Sequence, residues 1–285
     1  MRVGVAIVLT DESIDPVTLG PMVEQRPLES LFVTEHTHIP VSRRTPYPGG
    51  RELPREYART LDPFVALSAI ATVTTRIRLG TGVCLLVERD PLVTAKVTAS
   101  LDRLSLGRFE LGVGAGWNVE EMANHGVDFG RRFGVLRERV EAIRRLWSDD
   151  EASYHGRYVD FDPVWSWPKP IQRPGPPVVL GGDGPQVLER VLRYADAWMP
   201  RASGDEDRLR QRIAELQTRA REAGRRIGVT LYNAPWDAAA LDAYERAGVD
   251  RALVRLPSGG VSDVEPALDR AAALAERIGG RRPRS

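Results

Sequence analysis

A chain of 285 residues is long enough to bury a large core without staples, and 40 basic against 39 acidic residues leave a net charge of +1. That balance argues against a surface built for nucleic acid. The single cysteine, Cys84, excludes a disulfide framework and a thiolate-rich metal site. Only Lys96 and Lys169 among the basic residues are lysines, so no site here can depend on several of them.

The amino terminus runs from Arg2 through apolar Val3, Val5, Ile7 and Leu9 straight into Thr10-Asp11-Glu12, with no small-residue cleavage site. This predicts a first strand over 3–9 and not a signal peptide. No apolar stretch approaches the roughly 20 residues of a membrane span, so the expected setting is the cytoplasm.

The next segment is helical but interrupted by Gly20, Pro21 and Pro27, which predicts a short or distorted first helix. Further strand-like runs follow at 30–34, 77–83, 108–113, 177–180, 197–199, 227–232 and 252–256. Helical patterns lie between them at 63–73, 91–104, 132–147, 185–194, 207–223, 238–247 and 264–278. Asp62 before Pro63, Asp90 before Pro91 and Asp237 read as helix starts, and Gly107, Gly224, Gly248 and Gly279 as stops.

Eight strands alternating with helices predict an α/β fold, a (β/α)8 barrel of one domain over 1–285, with a doubly wound sheet as the competing architecture. Two connections are long. Residues 35–60 carry Pro40, Pro46, Pro48, Gly49, Gly50 and Pro54 after strand two, and residues 149–176 form an excursion after strand four that includes Trp165 and Trp167. Connections of that length are lids or binding excursions as a rule, and the second reads equally well as a hairpin packed on the barrel.

Catalytic groups in such barrels sit at the carboxyl ends of the strands. There strand two ends in Glu35-His36, and histidine titrates near neutrality and can relay a proton. Strand three contains Gly80 and Gly82, the pattern of a bulge or of a close approach. Strand four ends in Gly112-Val113-Gly114-Ala115-Gly116-Trp117-Asn118, where glycines let backbone amides reach a ligand. Strand five ends in Gly181-Gly182-Asp183-Gly184-Pro185, leading into a helix whose first amides suit a phosphate, with Asp183 as its cap and Pro185 in its first position. No H-E-x-x-H or G-x-S-x-G pattern occurs, which argues against a zinc hydrolase or a serine hydrolase.

At these strand ends the chain resembles the luciferase-like monooxygenase superfamily, and is particularly similar to its actinobacterial coenzyme F-420-dependent (deazaflavin) oxidoreductases. The resemblance rests on residues 32–40, 77–83, 101–109, 112–118, 165–170 and 177–182, in collinear order. It implies the barrel, usually dimeric, with an isoalloxazine or deazaflavin ring against strands two to four and a non-proline cis peptide at Gly82-Val83. It implies that Glu35 and His36 flank the ring and that Gly114, Ala115, Gly116 and Asn118 form a wall. Gly181, Gly182 and Gly184 would hold the phosphate-bearing tail, while Asp102, Ser105, Gly107 and Arg108 are structural. Members that oxidise a sugar phosphate carry a glutamate where this chain has Trp117, so a flatter or less polar substrate is expected here.

The expected activity is hydride transfer between coenzyme F-420 and a small organic substrate by a cytoplasmic homodimer. His36 would donate or accept the proton, and Glu35 would set its orientation and charge. The alternatives are an FMN-dependent monooxygenase using oxygen on the same fold, and a non-redox barrel whose glycine loop merely holds a phosphate.

Overall fold

Asp62, Asp90 and Asp237 begin helices, as expected, in the computed structural model, which describes residues 1–50, 52–202 and 204–279. Asp15 accepts from Thr18 N at the start of α1 (Pro16–Glu24), and Asp62 from Phe64 N and Val65 N at the start of α2 (Pro63–Thr72). Asp90 does the same for α3 (Pro91–Leu104) through Val93 N. Each cap removes one orphan amide of the first turn, and the proline beside it needs no donor. The first helix is short, as expected, with Pro21 inside its nine residues.

The strands are β1 (Arg2–Ile7), β2 (Ser30–Val33), β3 (Arg78–Thr81), the two-residue β4 (Cys84–Leu85) and β5 (Phe109–Gly114). After β5 come α4 (Val119–Asn124), a short helix the periodicity did not indicate, and α5 (Arg132–Ser148). A hairpin of β6 (Ala152–His155) and β7 (Asp160–Val164) precedes β8 (Val178–Gly181), α6 (Val187–Tyr194) and β9 (Ala197–Met199). The chain continues through α7 (Glu206–Glu222), β10 (Gly228–Tyr232), α8 (Ala238–Ala247), β11 (Arg251–Arg255) and α9 (Val261–Gly279).

Parallel pairing runs β1–β2–β3–β5–β8–β9–β10–β11, and β11 returns to β1 with Val3 opposite Ala252, so the sheet closes. This is the (β/α)8 barrel and not the doubly wound sheet. The third strand breaks within the 77–83 run where its glycines and the resemblance place a bulge: it ends at Thr81, whose hydroxyl donates to Gly112 O, and resumes as β4 beyond the expected cis peptide at Gly82–Val83. Cys84 is fully buried in β4, where burial and the nearby Glu35 push its thiol up, so it is a structural residue.

Two apolar layers result. The larger lies between strands and helices, and a smaller one of Ala6, Phe32, Val179, Met199 and Leu253 fills the barrel's interior. A Cβ on Gly80 would lie 2.3 Å from the Phe32 ring, so the glycine there makes room for the interior aromatic.

The excursion after α5 packs on the outer surface of that helix. Glu138 accepts from Tyr158 N and Val159 N, and Tyr154 OH donates to Glu141. Both lysines anchor its return: Lys169 donates to Leu146 O and Asp149 O, and Lys96 donates to Trp167 O. Asp102 accepts from Ile171 N and Gln172 N, and Arg108 donates to four backbone carbonyls and Thr74, which makes them structural as expected. Among the described residues no helix is long and apolar enough to cross a membrane.

Beneath the interior aromatic, Arg251 donates to both oxygens of Glu110 at 2.8 Å and to Glu29, with Arg78 also on Glu110. Burial pushes the Glu110 carboxyl up, but Arg251 and Arg78 outweigh it and hold it down to about 2. A depressed carboxyl contributes stability that is complete above its ordinary value of 4.5 and is lost as pH falls towards 2. Arg251→Met is expected to cost about 3–5 kcal/mol, because it breaks a buried ion pair and leaves the Glu110 carboxylate to Arg78 alone. Urea unfolding at neutral pH checks this, and a loss below about 1 kcal/mol would show that solvent already reaches the pair.

Candidate active site

The carboxyl ends of the strands converge on one cavity of about 450 Å³. Eleven of the residues singled out from the sequence line it: Glu35, His36, Gly82, Val83, Gly114, Ala115, Gly116, Trp117, Gly181, Gly182 and Gly184. Their spread over four strand ends, 150 residues apart in the chain, is what barrel closure brings together. Gly182 has φ of +117°, a backbone state few side chains tolerate, and its carbonyl accepts from the indole of buried Trp198.

Asn118 stands apart. It is 2 % exposed, does not line the cavity, and caps α4 by accepting from Glu120 N and Glu121 N. The cavity wall here is formed by residues 114–117, and Asn118 fixes where α4 begins.

The partner of His36 also differs from expectation. Glu35 is committed elsewhere, to Leu85 N at 2.7 Å and to the Arg89 guanidinium. It is Glu121 of α4 that meets His36, with Nδ1 to Oε2 at 2.8 Å, while Thr37 N donates to Oε1 at 3.2 Å. With the Glu121 carboxylate accepting, Nδ1 donates and Nε2 is left without a hydrogen bond from the described residues. Glu121 was legible only as the third residue after Asn118, the spacing of a capping box.

Four rings close one end of the cavity. His36 packs against Tyr57 and Trp117, and Tyr47 against the same two, at centroid separations of 5.2 to 5.8 Å. The Tyr47 and Tyr57 hydroxyls lie 3.1 Å apart, and burial followed by the Tyr47 contact pushes the Tyr57 phenol up, so it stays protonated. Both tyrosines come from the 35–60 connection. Of the two long connections, this one reaches the site and the hairpin does not.

Part of the lining is cationic. Arg132, Arg190 and Arg201 line the cavity beside Gly181–Gly184, with Arg190 stacked on Phe133 at 3.6 Å. The Nε of Arg132 is buried without a hydrogen-bond partner. The sequence reading missed all three, since single arginines in an arginine-rich chain carry no signal. It also misplaced the helix start: α6 begins at Val187 after Gln186, so Pro185 is outside it and Asp183 does not cap it. The Asp183 carboxyl instead accepts from Arg201 N at 3.1 Å.

A family model described as luciferase-like monooxygenase matches residues 16–281 of this chain. The chain belongs to that family. An uncharacterised protein of Mycobacterium tuberculosis (strain ATCC 25618 / H37Rv) is 46% identical over 203 residues, covering 70% of this chain and 72% of its own. An F-420-dependent hydroxymycolic acid dehydrogenase of the same organism is 31% identical over 166 residues, covering 57% of this chain and 45% of that one. Among solved structures, the oxygenating constituent of 3,6-diketocamphane monooxygenase of Pseudomonas putida, in complex with FMN, superposes with a TM-score of 0.77. It is 14% identical and covers 99% of this chain and 98% of its own, a likeness of fold. As a member of this family, the luciferase-like protein described here is an enzyme, an oxidoreductase or monooxygenase.

Proposed function

We propose that this luciferase-like enzyme transfers a hydride between coenzyme F-420 and a small, uncharged organic substrate. The observation that carries the reading is the buried His36–Glu121 pair in the wall of a cavity that three arginines also line. A wall of glycine backbone fits a flat ring, and the guanidiniums of Arg132, Arg190 and Arg201 fit an anionic tail. Bound there, a deazaflavin supplies the hydride donor or acceptor.

The protein's own groups do the rest. Glu121 holds His36 by Nδ1, which leaves Nε2 to give a proton to a carbonyl oxygen or take one from an alcohol. Trp117, Tyr47 and Tyr57 exclude water and favour an apolar, flat substrate. Glu35, locked to Arg89, supports the turn at Leu85 and does not reach His36. On this reading the working form is a cytoplasmic homodimer.

An FMN-dependent monooxygenase would use the same cradle, and the fold likeness to an FMN-bound oxygenase supports it. Parallel titrations of the purified chain with F-420 and with FMN, read by tryptophan fluorescence and repeated on Trp117→Phe, separate the two. F-420 is expected to bind at least about tenfold more tightly, a difference of about 1.4 kcal/mol. Tighter binding of FMN would replace the first reading with the second, and no binding of either would leave the phosphate-holding barrel.

A further inference from the structure

Three carboxyl groups are buried in or behind the cavity wall, and only two are compensated. Glu35 has Leu85 N and Arg89, and Glu121 has His36 and Thr37 N. Glu88, the last residue of the turn Leu86–Glu88 that follows β4, has no such partner. Its side chain is 1 % exposed, and neither oxygen receives a hydrogen bond from the described residues. Its Oε1 lies 3.7 Å from where a Cβ on Gly116 would be, directly behind the backbone that lines the cavity.

The groups facing Glu88 come from every element around it. Glu121 and His125 belong to α4 and its end, with His125 Nε2 at 3.9 Å, and Glu35 comes from the connection after β2. Arg89 follows it in the chain and is committed to Glu35 and Asp62, while Arg139 of α5 donates to Leu86 O. Burial and the neighbouring His38 push the His125 ring down, which keeps it a weak counterion. An ionised carboxylate with no donors on either oxygen is strongly disfavoured in such a place.

We infer that Glu88 is a positioning residue, held as a neutral carboxylic acid so that Glu121 carries the negative charge that His36 meets. The inference rests on the proposed role of His36 in moving a proton. A second negative charge behind Gly116 would tighten the grip of His36 on that proton, and the buried acid delays it until alkaline pH. Burial first, then repulsion from Glu121 and Glu35, pushes Glu88 up to about 9.

Carboxyl-labelled glutamate and histidine-ring NMR on the intact chain test this without a substrate. The Glu88 carboxyl resonance is expected to step near pH 9, and the His36 ring resonances to show a step at that same pH. In Glu88→Gln, the His36 step near pH 9 disappears. A Glu88 step below about pH 6, in the ordinary carboxylate range and its upper tail, overturns the inference. So does a His36 ring that stays unmoved while Glu88 ionises.

Stability gives an independent readout. A carboxyl raised in the folded state loses stability as pH climbs from its unfolded value to its folded one. Glu88→Gln should therefore melt higher than the native chain at about pH 8 and alongside it at about pH 3, where the Glu88 carboxyl is neutral in both the folded and the unfolded chain. Lower melting of the variant at the higher pH contradicts a neutral Glu88. Because neither measurement involves a cofactor, failure of the F-420 titration and failure of this inference are separate results.

Discussion

His36→Asn is expected to lower turnover by about 10²- to 10⁴-fold while leaving cofactor affinity within about threefold. Asparagine fills the same place and still offers a donor to Glu121, but it cannot exchange a proton in the working range. The cofactor affinity should hold because the cationic part of the cavity lining is built from other residues, Arg132, Arg190 and Arg201. Glu121→Gln should cost less, about tenfold or more, since its remaining oxygen can still accept from Nδ1 while the charge and the second acceptor, used by Thr37 N, are lost. Steady-state rates with the cofactor that wins the titration, alongside circular dichroism, measure both. Turnover within about twofold for a folded His36→Asn would remove this histidine from the chemistry, well below what a lost acid–base group costs.

The second large effect is expected at Gly184. The cationic part of the cavity lining offers three guanidiniums, each charge-assisted contact to an anion being worth about 1.5–3 kcal/mol. A carboxylate placed among them competes for those donors and repels the cofactor's tail. Gly181 is the wrong place to put it, because its Cβ would lie 2.9 Å from Val83 Cγ1 and disturb the ring cradle as well. At Gly184 nothing lies within 4 Å of the added Cβ, and its neighbours Asp183 O and Gly184 O are already held by Arg212. Gly184→Asp should therefore weaken the intact cofactor about 30- to 100-fold, roughly 2–3 kcal/mol. A tail-less ring analogue should lose under about threefold, a fraction of a kcal/mol. Calorimetric titration of both ligands decides: equal losses would mean the loop shapes the barrel and does not hold the tail.

The aspartate–proline starts at Asp62 and Asp90, the proline-broken first helix and the alternating strand runs were legible because each depends on neighbours within a turn or a pleat. From that alternation the barrel follows, and from the barrel the rule that strand ends carry the site, which is why Glu35, His36 and the glycines at 82, 114, 116, 181, 182 and 184 all reached one cavity. The family motifs added the break at Gly82–Val83, which the run of apolar residues through 83 concealed.

What the linear order did not contain is who meets whom across the closed sheet. Glu121 lies 85 residues from His36, and its identity as the partner depends on Asn118 capping α4 so that this glutamate points back at the β2 end. Glu35 stands next to His36 in sequence, yet successive residues of an extended segment face opposite ways, and Arg89 claims it. The same applies to the arginines. Arg132, Arg190 and Arg201 become a cationic lining only when α5, α6 and the segment after β9 are wrapped around one mouth. Composition and local pattern thus determined the barrel and the ring of candidate residues, because they are written in short-range periodicity. The pairing of charges was decided by tertiary closure, because Coulomb and hydrogen-bond partners are chosen by distance in space and burial, neither of which sequence separation records.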